Sequence, residues 1–227
     1  MSQSIKTLSE YTHRYQGVFH TDATQAFGKI PIDVKDLGVD LMSVSLHKIG
    51  LPKGIGFLYK KKDIKLSPVI HGGHQEMDLR GGTENTAYIV AAGNQVERIS
   101  KKSFMSCRMI EYLFDQIVDK CHEHEVDFLL NGWYRLPNIL SVTFKGVNAE
   151  ALITLLDMNG VNVSAGSACC SGEKTPSRVL KAIGLSNEQA FSTVRISISE
   201  DTTKEEINEF VRILGECLIS LKIMDGE

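Results

Sequence analysis

Four side chains in this sequence are of types, and in settings, that could carry covalent chemistry. Lys48 ends the run Ser45-Leu46-His47-Lys48, which follows the apolar residues Val39, Leu41 and Val44 and is broken by Gly50 and Pro52. A lysine at the mouth of a buried strand is in an unusual place, because partial burial disfavours the ammonium and frees the amine for Schiff-base chemistry. The plain alternative is a strand-end lysine with its head in water, like Lys60, Lys61 and Lys62. Asp22 closes a second run, Val18-Phe19-His20-Thr21, and taken alone it would be a turn carboxylate. Cys169 stands among small residues, Ser164-Ala165-Gly166-Ser167-Ala168-Cys169-Cys170-Ser171-Gly172, which suit an accessible tether and not the buried setting of an inert thiol. A vicinal Cys169–Cys170 disulfide is the alternative there, but such rings fit disulfide geometry poorly. Arg195 interrupts an otherwise apolar strand pattern, where a guanidinium requires a carboxylate from the protein or a substrate.

Periodicity supplies the elements that must position these groups. Ile5, Leu8, Tyr11 and Tyr15 fall at helical spacing over residues 3–16, with Gly17 where a C-cap belongs. Residues 18–22 form a short strand, and Asp22-Ala23-Thr24-Gln25 turns the chain. The segment from Gly28 to Gly38 makes a crossover with a small helical piece around Val34–Leu37, before a strand at 40–46. The two strands are therefore expected to be parallel neighbours in an α/β layer, their C-terminal ends side by side, where such sheets build their sites.

Gly54–Tyr59 is a third strand, followed by the Gly-rich stretch from His71 to Asn85. A long helical pattern then carries Ile89, Val90, Val96 and Ile99. The polar break Lys101-Lys102-Ser103 is the candidate boundary, which assigns 1–100 to a larger α/β domain and 101–227 to a small α+β domain. In the latter, 138–144 is a strand, 149–158 a helix, 161–163 a short strand, and Thr175-Pro176 an N-cap with Pro at the first helical position. Residues 193–199 alternate as a strand, and Thr203-x-x-Glu206 is a capping box opening a helix over 204–221.

Composition narrows the classes. With 42% hydrophobic and 23% charged residues and a net charge of −3, the 227-residue chain lacks the basic footprint of a nucleic-acid binder. No apolar run approaches the length of a membrane span, and the start lacks a signal-peptide core. Five cysteines without framework spacing fit a reduced, cytoplasmic chain. Cys121-His122-x-His124 has no matching second cluster and reads as a polar helix end, not a metal site. His71 and His74 read as loop or dimer-contact residues and not metal ligands, Trp133 and Tyr134 as packing at a turn, and Cys107 and Cys217 as buried small hydrophobes.

Asp22 and Lys48 at adjacent strand ends would place a carboxylate and an amine against one flat ligand, an arrangement suited to pyridoxal 5'-phosphate (PLP). Gln25 could then donate to the ring hydroxyl, and Ser45 and His47 to the phosphate. His20-Thr21-Asp22-Ala23-Thr24-Gln25, Ser45-x-His47-Lys48, Arg80-Gly81-Gly82-Thr83-Glu84-Asn85, Gly166-Ser167-Ala168-Cys169 and Val194-Arg195-x-Ser197 occur in that order. In this the chain resembles the NifS/IscS-like cysteine desulfurases, class V PLP enzymes of fold type I, and specifically their C-terminal part. Any one of these motifs is weak and five in order are strong; the resemblance runs from near residue 3 to about residue 221.

The resemblance implies that Lys48 carries PLP and Asp22 partners its pyridinium nitrogen. Gln25 would contact the ring hydroxyl, Ser45 and His47 the phosphate, and Thr83 the phosphate of the other subunit in a homodimer. Arg195 would hold the carboxylate of L-cysteine. Cys169 would be the nucleophile that leaves L-alanine and carries a persulfide to a sulfur acceptor, such as an iron–sulfur scaffold or a tRNA-thiolation partner. A loop suits Cys169 because it must meet substrate in one state and acceptor in another.

Several positions depart from the family pattern. Leu51 stands where a Gly usually precedes the Pro, His74 and Met77 replace a Gly and an Arg, and Cys170 replaces a Ser or Thr. The family also carries an N-terminal block with a phosphate loop, a ring-stacking His and an Asn, and nothing before Asp22 supplies them. Three strands are then expected in the first sheet, with an unpaired edge and uncovered apolar surface that favour self-association. The alternative to an enzyme is a non-catalytic remnant or interaction protein without a complete PLP site.

Overall fold

The computed structural model describes residues 3–101, 107–132, 134–165 and 175–224. The chain divides into two units, one holding Gln3–Phe104 and the other Met105–Glu227.

In the first unit, helix α1 (Ile5–Arg14) is held by a polar contact more than by apolar burial. Its one fully buried side chain is Ser9, whose hydroxyl donates to the Leu37 carbonyl at 2.6 Å. A side chain at Gly38 would meet that hydroxyl, and its φ of +67° also favours glycine. Strands β1 (His20–Asp22), β2 (Leu41–Ser45) and β3 (Gly56–Lys60) form one sheet in that order. The β1–β2 pairing is parallel, Asp22 opposite Ser43, as the crossover predicts, and β2–β3 is antiparallel. Along β2 the burial alternates: Met42 and Val44 face the core with Ala23, Val39 and Leu46, while Leu41, Ser43 and Ser45 are half-buried.

Two sequence expectations change here. Residues 34–37 form turns and no helix. The second strand stops at Ser45, and Leu46–Ile49 winds into a 3-10 turn closed by Gly50 at φ +87°. The apolar character of Leu46 and Ile49 suits either conformation, because both side chains pack into the same small core. Helix α2 (Thr86–Ser100) opens on Asn85, whose side chain accepts from the Tyr88 N–H, and it has no fully buried residue.

The second unit comprises α3 (Arg108–Glu123), β4 (Phe128–Leu130), β5 (Ile139–Phe144), α4 (Ala149–Met158), β6 (Ser164–Ala165), α5 (Arg178–Ala182), α6 (Asn187–Phe191), β7 (Thr193–Ser197) and α7 (Lys204–Met224). Its antiparallel sheet runs β4-β5-β7-β6. Leu140, Val142 and Phe144 of β5 and Val194 and Ile196 of β7 pack against Leu113, Leu152, Leu214 and Leu218 of the long helices. Asn148 caps α4 by accepting from the N–H groups of Glu150 and Ala151, and Thr203 and Glu206 form the expected capping box.

Four expectations shift in this unit. The short strand lies at Ser164–Ala165, not 161–163, where it pairs with Val194 and Arg195. The N-cap of α5 is Ser177, not Thr175. Cys107 is exposed at the N-cap of α3, although Cys217 is buried. Tyr134 is exposed instead of packed, and Trp133 lies outside the described residues. β4 and α6 escape periodicity because three- and five-residue elements are too short to show it.

Candidate active site

The ends of β1 and β2 converge on one threonine. Asp22 is the last residue of β1, and the Ala23 N–H carries the ladder one step further to the Ser43 carbonyl at 2.9 Å. The Thr24 N–H then donates to Asp22 Oδ1 at 2.8 Å, so Asp22 does cap its own turn. Thr24 Oγ1 in turn accepts the Ser45 N–H at 3.0 Å, tying the end of β2 to the same turn. The Thr24 hydroxyl, followed by its N–H, holds the Asp22 carboxyl below its ordinary value of 3.8. A carboxylate thus stays ionised at a strand end, where a cationic ring N–H could meet it.

Past Ser45, the 3-10 turn presents His47 and Lys48. Ser45 Oγ and His47 Nδ1 are 2.8 Å apart, with His47 half-buried. Lys48 is exposed and sits on the turn, not in the buried strand mouth expected from sequence. Its turn is braced from two sides: the Leu46 N–H donates to the Ile55 carbonyl, and Gln95 Nε2 of α2 donates to the Ile49 carbonyl. Gln25 lies in the turn after Asp22, and Lys29 Nζ donates to its Oε1 at 3.0 Å. Burial, and secondarily the charge of Lys48, lowers the Lys29 pKa from 10.5, so these two amines share one neighbourhood.

The structure therefore brings Asp22, Gln25, Ser45, His47 and Lys48 to one end of one sheet. Thr83 belongs to the same unit, exposed in the loop ahead of α2. Arg195 belongs to the second unit, half-buried on β7 opposite Ser141 and Ser164. Cys169 and Cys170 lie outside the described residues. Among the described cysteines, burial pushes the Cys121 thiol up to about 11 and also raises that of Cys217, with Glu216 adding to it, so neither suits a nucleophile. Sequence reasoning missed Thr24, Lys29 and Gln95. Thr24 and Lys29 carry weak local signals, two residues after an Asp and four after a Gln; Gln95 carries none.

The donor set fits PLP: an ionised carboxylate for a pyridinium, a hydroxyl and an imidazole for a phosphate, an amide for a ring hydroxyl, and an amine for an aldehyde. The fold agrees. The chain superposes on the X-ray structure of a NifS-like protein from Rickettsia africae with a TM-score of 0.78 at 31% identity, covering 95% of this chain and 57% of that one. It superposes on SspA in complex with cysteine with a TM-score of 0.66 at 38% identity, covering 88% and 55%. These neighbours define the α/β class: part of a fold-type I PLP-transferase large domain followed by a small α+β domain.

Residues 1–210 match the class-V aminotransferase model, and the chain belongs to that family of PLP enzymes. It is 39% identical over 222 residues to cysteine desulfurase IscS of Dictyoglomus turgidum, covering 97% of this chain and 56% of the relative. It is 42% identical over 208 residues to putative cysteine desulfurase IscS 1 of Bacillus subtilis, covering 90% and 55%. The chain spans about half the length of the curated relatives it matches.

Proposed function

We propose that this protein is a cysteine desulfurase, converting L-cysteine to L-alanine and leaving a persulfide on Cys169. The observation that carries this reading is the Thr24 tie, which joins Asp22 and Ser45, the last residues of two neighbouring parallel strands, with His47 and Lys48 on the turn that follows. In it, Lys48 carries PLP, Asp22 faces the ring nitrogen, Gln25 the ring hydroxyl, and Ser45 and His47 the phosphate. When bound, PLP supplies an electron sink for bond breaking at the substrate Cα.

The remaining chemistry belongs to the chain. Lys48, exposed on the turn past the end of β2, takes and returns the Cα proton. Arg195 orients the substrate carboxylate through a charge-assisted pair. The Cys169 thiolate attacks the substrate sulfur: a sulfur–sulfur bond forms and the carbon–sulfur bond breaks. The electron pair stays with the carbon, which takes up a proton on the way to alanine. The persulfide then passes to a sulfur-acceptor protein, of which an iron–sulfur scaffold is one kind. Thr83 reaches the phosphate of a second subunit, making the working form a homodimer. Five cysteines without framework spacing, one of them a free nucleophile in this reading, fit a reducing, cytoplasmic setting.

The test is spectroscopic and then chemical. Adding PLP to the purified protein should give a visible absorbance band that Lys48→Ala abolishes. No band, or one unchanged in that variant, sinks the reading. Cysteine-dependent sulfide release under reductant should vanish in Cys169→Ser while the band persists; release indifferent to Cys169 sinks the desulfurase reading in favour of another class V activity.

A further inference from the structure

An amide side chain has two ends of opposite hydrogen-bonding sense, and its role at a ligand site depends on which end faces the ligand. At Gln25 the chain itself makes that choice. Successive turns over residues 23–30, in which the Phe27 N–H bonds to Ala23 and the Ile30 N–H to Ala26, bring positions 25 and 29 together. Lys29 Nζ lies 3.0 Å from Gln25 Oε1. An ammonium has donors only, so the amide end it meets must be the oxygen, and Nε2 is turned away from it.

Two further features favour a role at the site over an ordinary surface contact. Gly28, the residue before Lys29, has φ +76°, and a Cβ there would lie 3.3 Å from Ile49, the residue after Lys48. The backbone carrying Lys29 is therefore pressed against the turn that carries Lys48. Lys29 is also half-buried near a like charge, which burial and Lys48 both penalise. An exposed lysine pairing with a glutamine for stability alone would gain nothing from either condition.

We propose that Lys29 is a positioning residue that locks the Gln25 amide with Nε2 outward, as a hydrogen-bond donor to the bound cofactor's ring oxygen. The proposal rests on the PLP reading above for the identity of the ligand, and on the Lys29–Gln25 contact for the orientation. Lys29 itself touches neither cofactor nor substrate in this account. Its effect on the ring oxygen passes through Gln25, and Lys29→Arg, which keeps the charge beside Lys48, holds that neighbourhood constant.

The experiment has one arm without cofactor and one with it. In the ligand-free, isotope-labelled protein, the Gln25 side-chain amide resonances should shift in Lys29→Met and stay near wild type in Lys29→Arg. No shift in Lys29→Met overturns the proposal whether or not PLP binds. In the PLP-loaded protein, Lys29→Met should weaken PLP binding roughly five-fold, the worth of about one net hydrogen bond. It should also move the visible maximum in the same direction as Gln25→Ala, and Lys29→Arg should restore both. In a Gln25→Ala background, Lys29→Met should do nothing more. Additive losses in the double variant, or no rescue by Arg, overturn it. If the first arm succeeds and PLP never binds, the orientation stands and the cofactor reading falls.

Discussion

The two units use helices of nearly equal length in opposite ways. α3, 16 residues long, sets Ile110, Leu113, Ile117 and Cys121 into the core of the second unit at helical spacing. α2, 15 residues long, buries none of its side chains fully and leaves Ile89 and Val90 exposed in the first. The core of the second unit runs through three long helices and the middle strands of its sheet. That of the first is a small cluster around β2, namely Ala23, Val39, Met42, Val44 and Leu46. Apolar area removed from water is the main stabilising term, so the second unit carries its own fold while the first holds its shape with more polar ties. Asp22, Thr24, Ser45, His47, Lys29 and Gln95 are all in that more thinly packed unit. Chemistry needs polar groups that are positioned yet reachable, and a thin core leaves them reachable.

The sharpest way to break this comparison is to truncate apolar residues in both units. Phe144→Ala, at a fully buried position of β5, should destabilise the second unit by roughly 3–5 kcal/mol in urea unfolding. Ile89→Ala on exposed α2 should change stability by no more than about 0.5 kcal/mol. Similar losses at the two positions would mean that α2 is covered in solution and that the contrast is wrong.

A smaller effect is expected at the main polar tie of the first unit. The buried Asp40 accepts from the Phe19 N–H at 2.9 Å and from His13 Nε2 at 2.7 Å, with Lys61 Nζ at 3.6 Å. Asp40→Asn should cost about 1–3 kcal/mol. Burial alone would raise the Asp40 pKa, but the Phe19 N–H, His13 and Lys61 outweigh it, and the carboxyl sits below 3.8. A lowered pKa stabilises the fold fully above the unfolded value and loses that stabilisation as pH falls through the folded one. Acid titration below pH 3.8 should therefore destabilise wild type more steeply than Asp40→Asn; parallel curves would show that the tie carries no linkage.

The smallest contrast lies in the helix caps. Asn148→Ala removes an acceptor shared by two N–H groups of α4 and should cost about 1 kcal/mol. Ser4 accepts no N–H at α1 and meets only the exposed Thr7 hydroxyl at 2.9 Å, so Ser4→Ala should leave the thermal midpoint nearly unchanged. A measurable loss at Ser4 would show that the first unit depends on its caps as the second does.

Much of this was legible without coordinates, unevenly between the units. α4 begins and ends where periodicity and Asn159-Gly160 place it, and β1 and β2 pair in parallel as the crossover requires. The 3-10 turn under Lys48 was not legible. Leu46 and Ile49 are apolar at a spacing that a strand end and a tight turn both satisfy, and only packing against Ala23 and Val39 chooses between them. Cys107 failed for a similar reason: helical spacing places a residue on a helix, but its burial depends on what lies opposite.

At the site the division is the same. Residue type alone limits what each group can do: Lys48 offers an amine, Asp22 a carboxylate, Cys169 a thiol, and the order of their motifs marks the family. Those properties are covalent and survive unfolding. Tertiary structure decided that one threonine hydroxyl joins the ends of two strands, that Lys48 stands exposed on a turn, and that Lys29 holds one end of the Gln25 amide. Hydrogen-bond sense and burial are relations between groups distant in the chain or folded back upon each other, and they exist only once the backbone has closed around them.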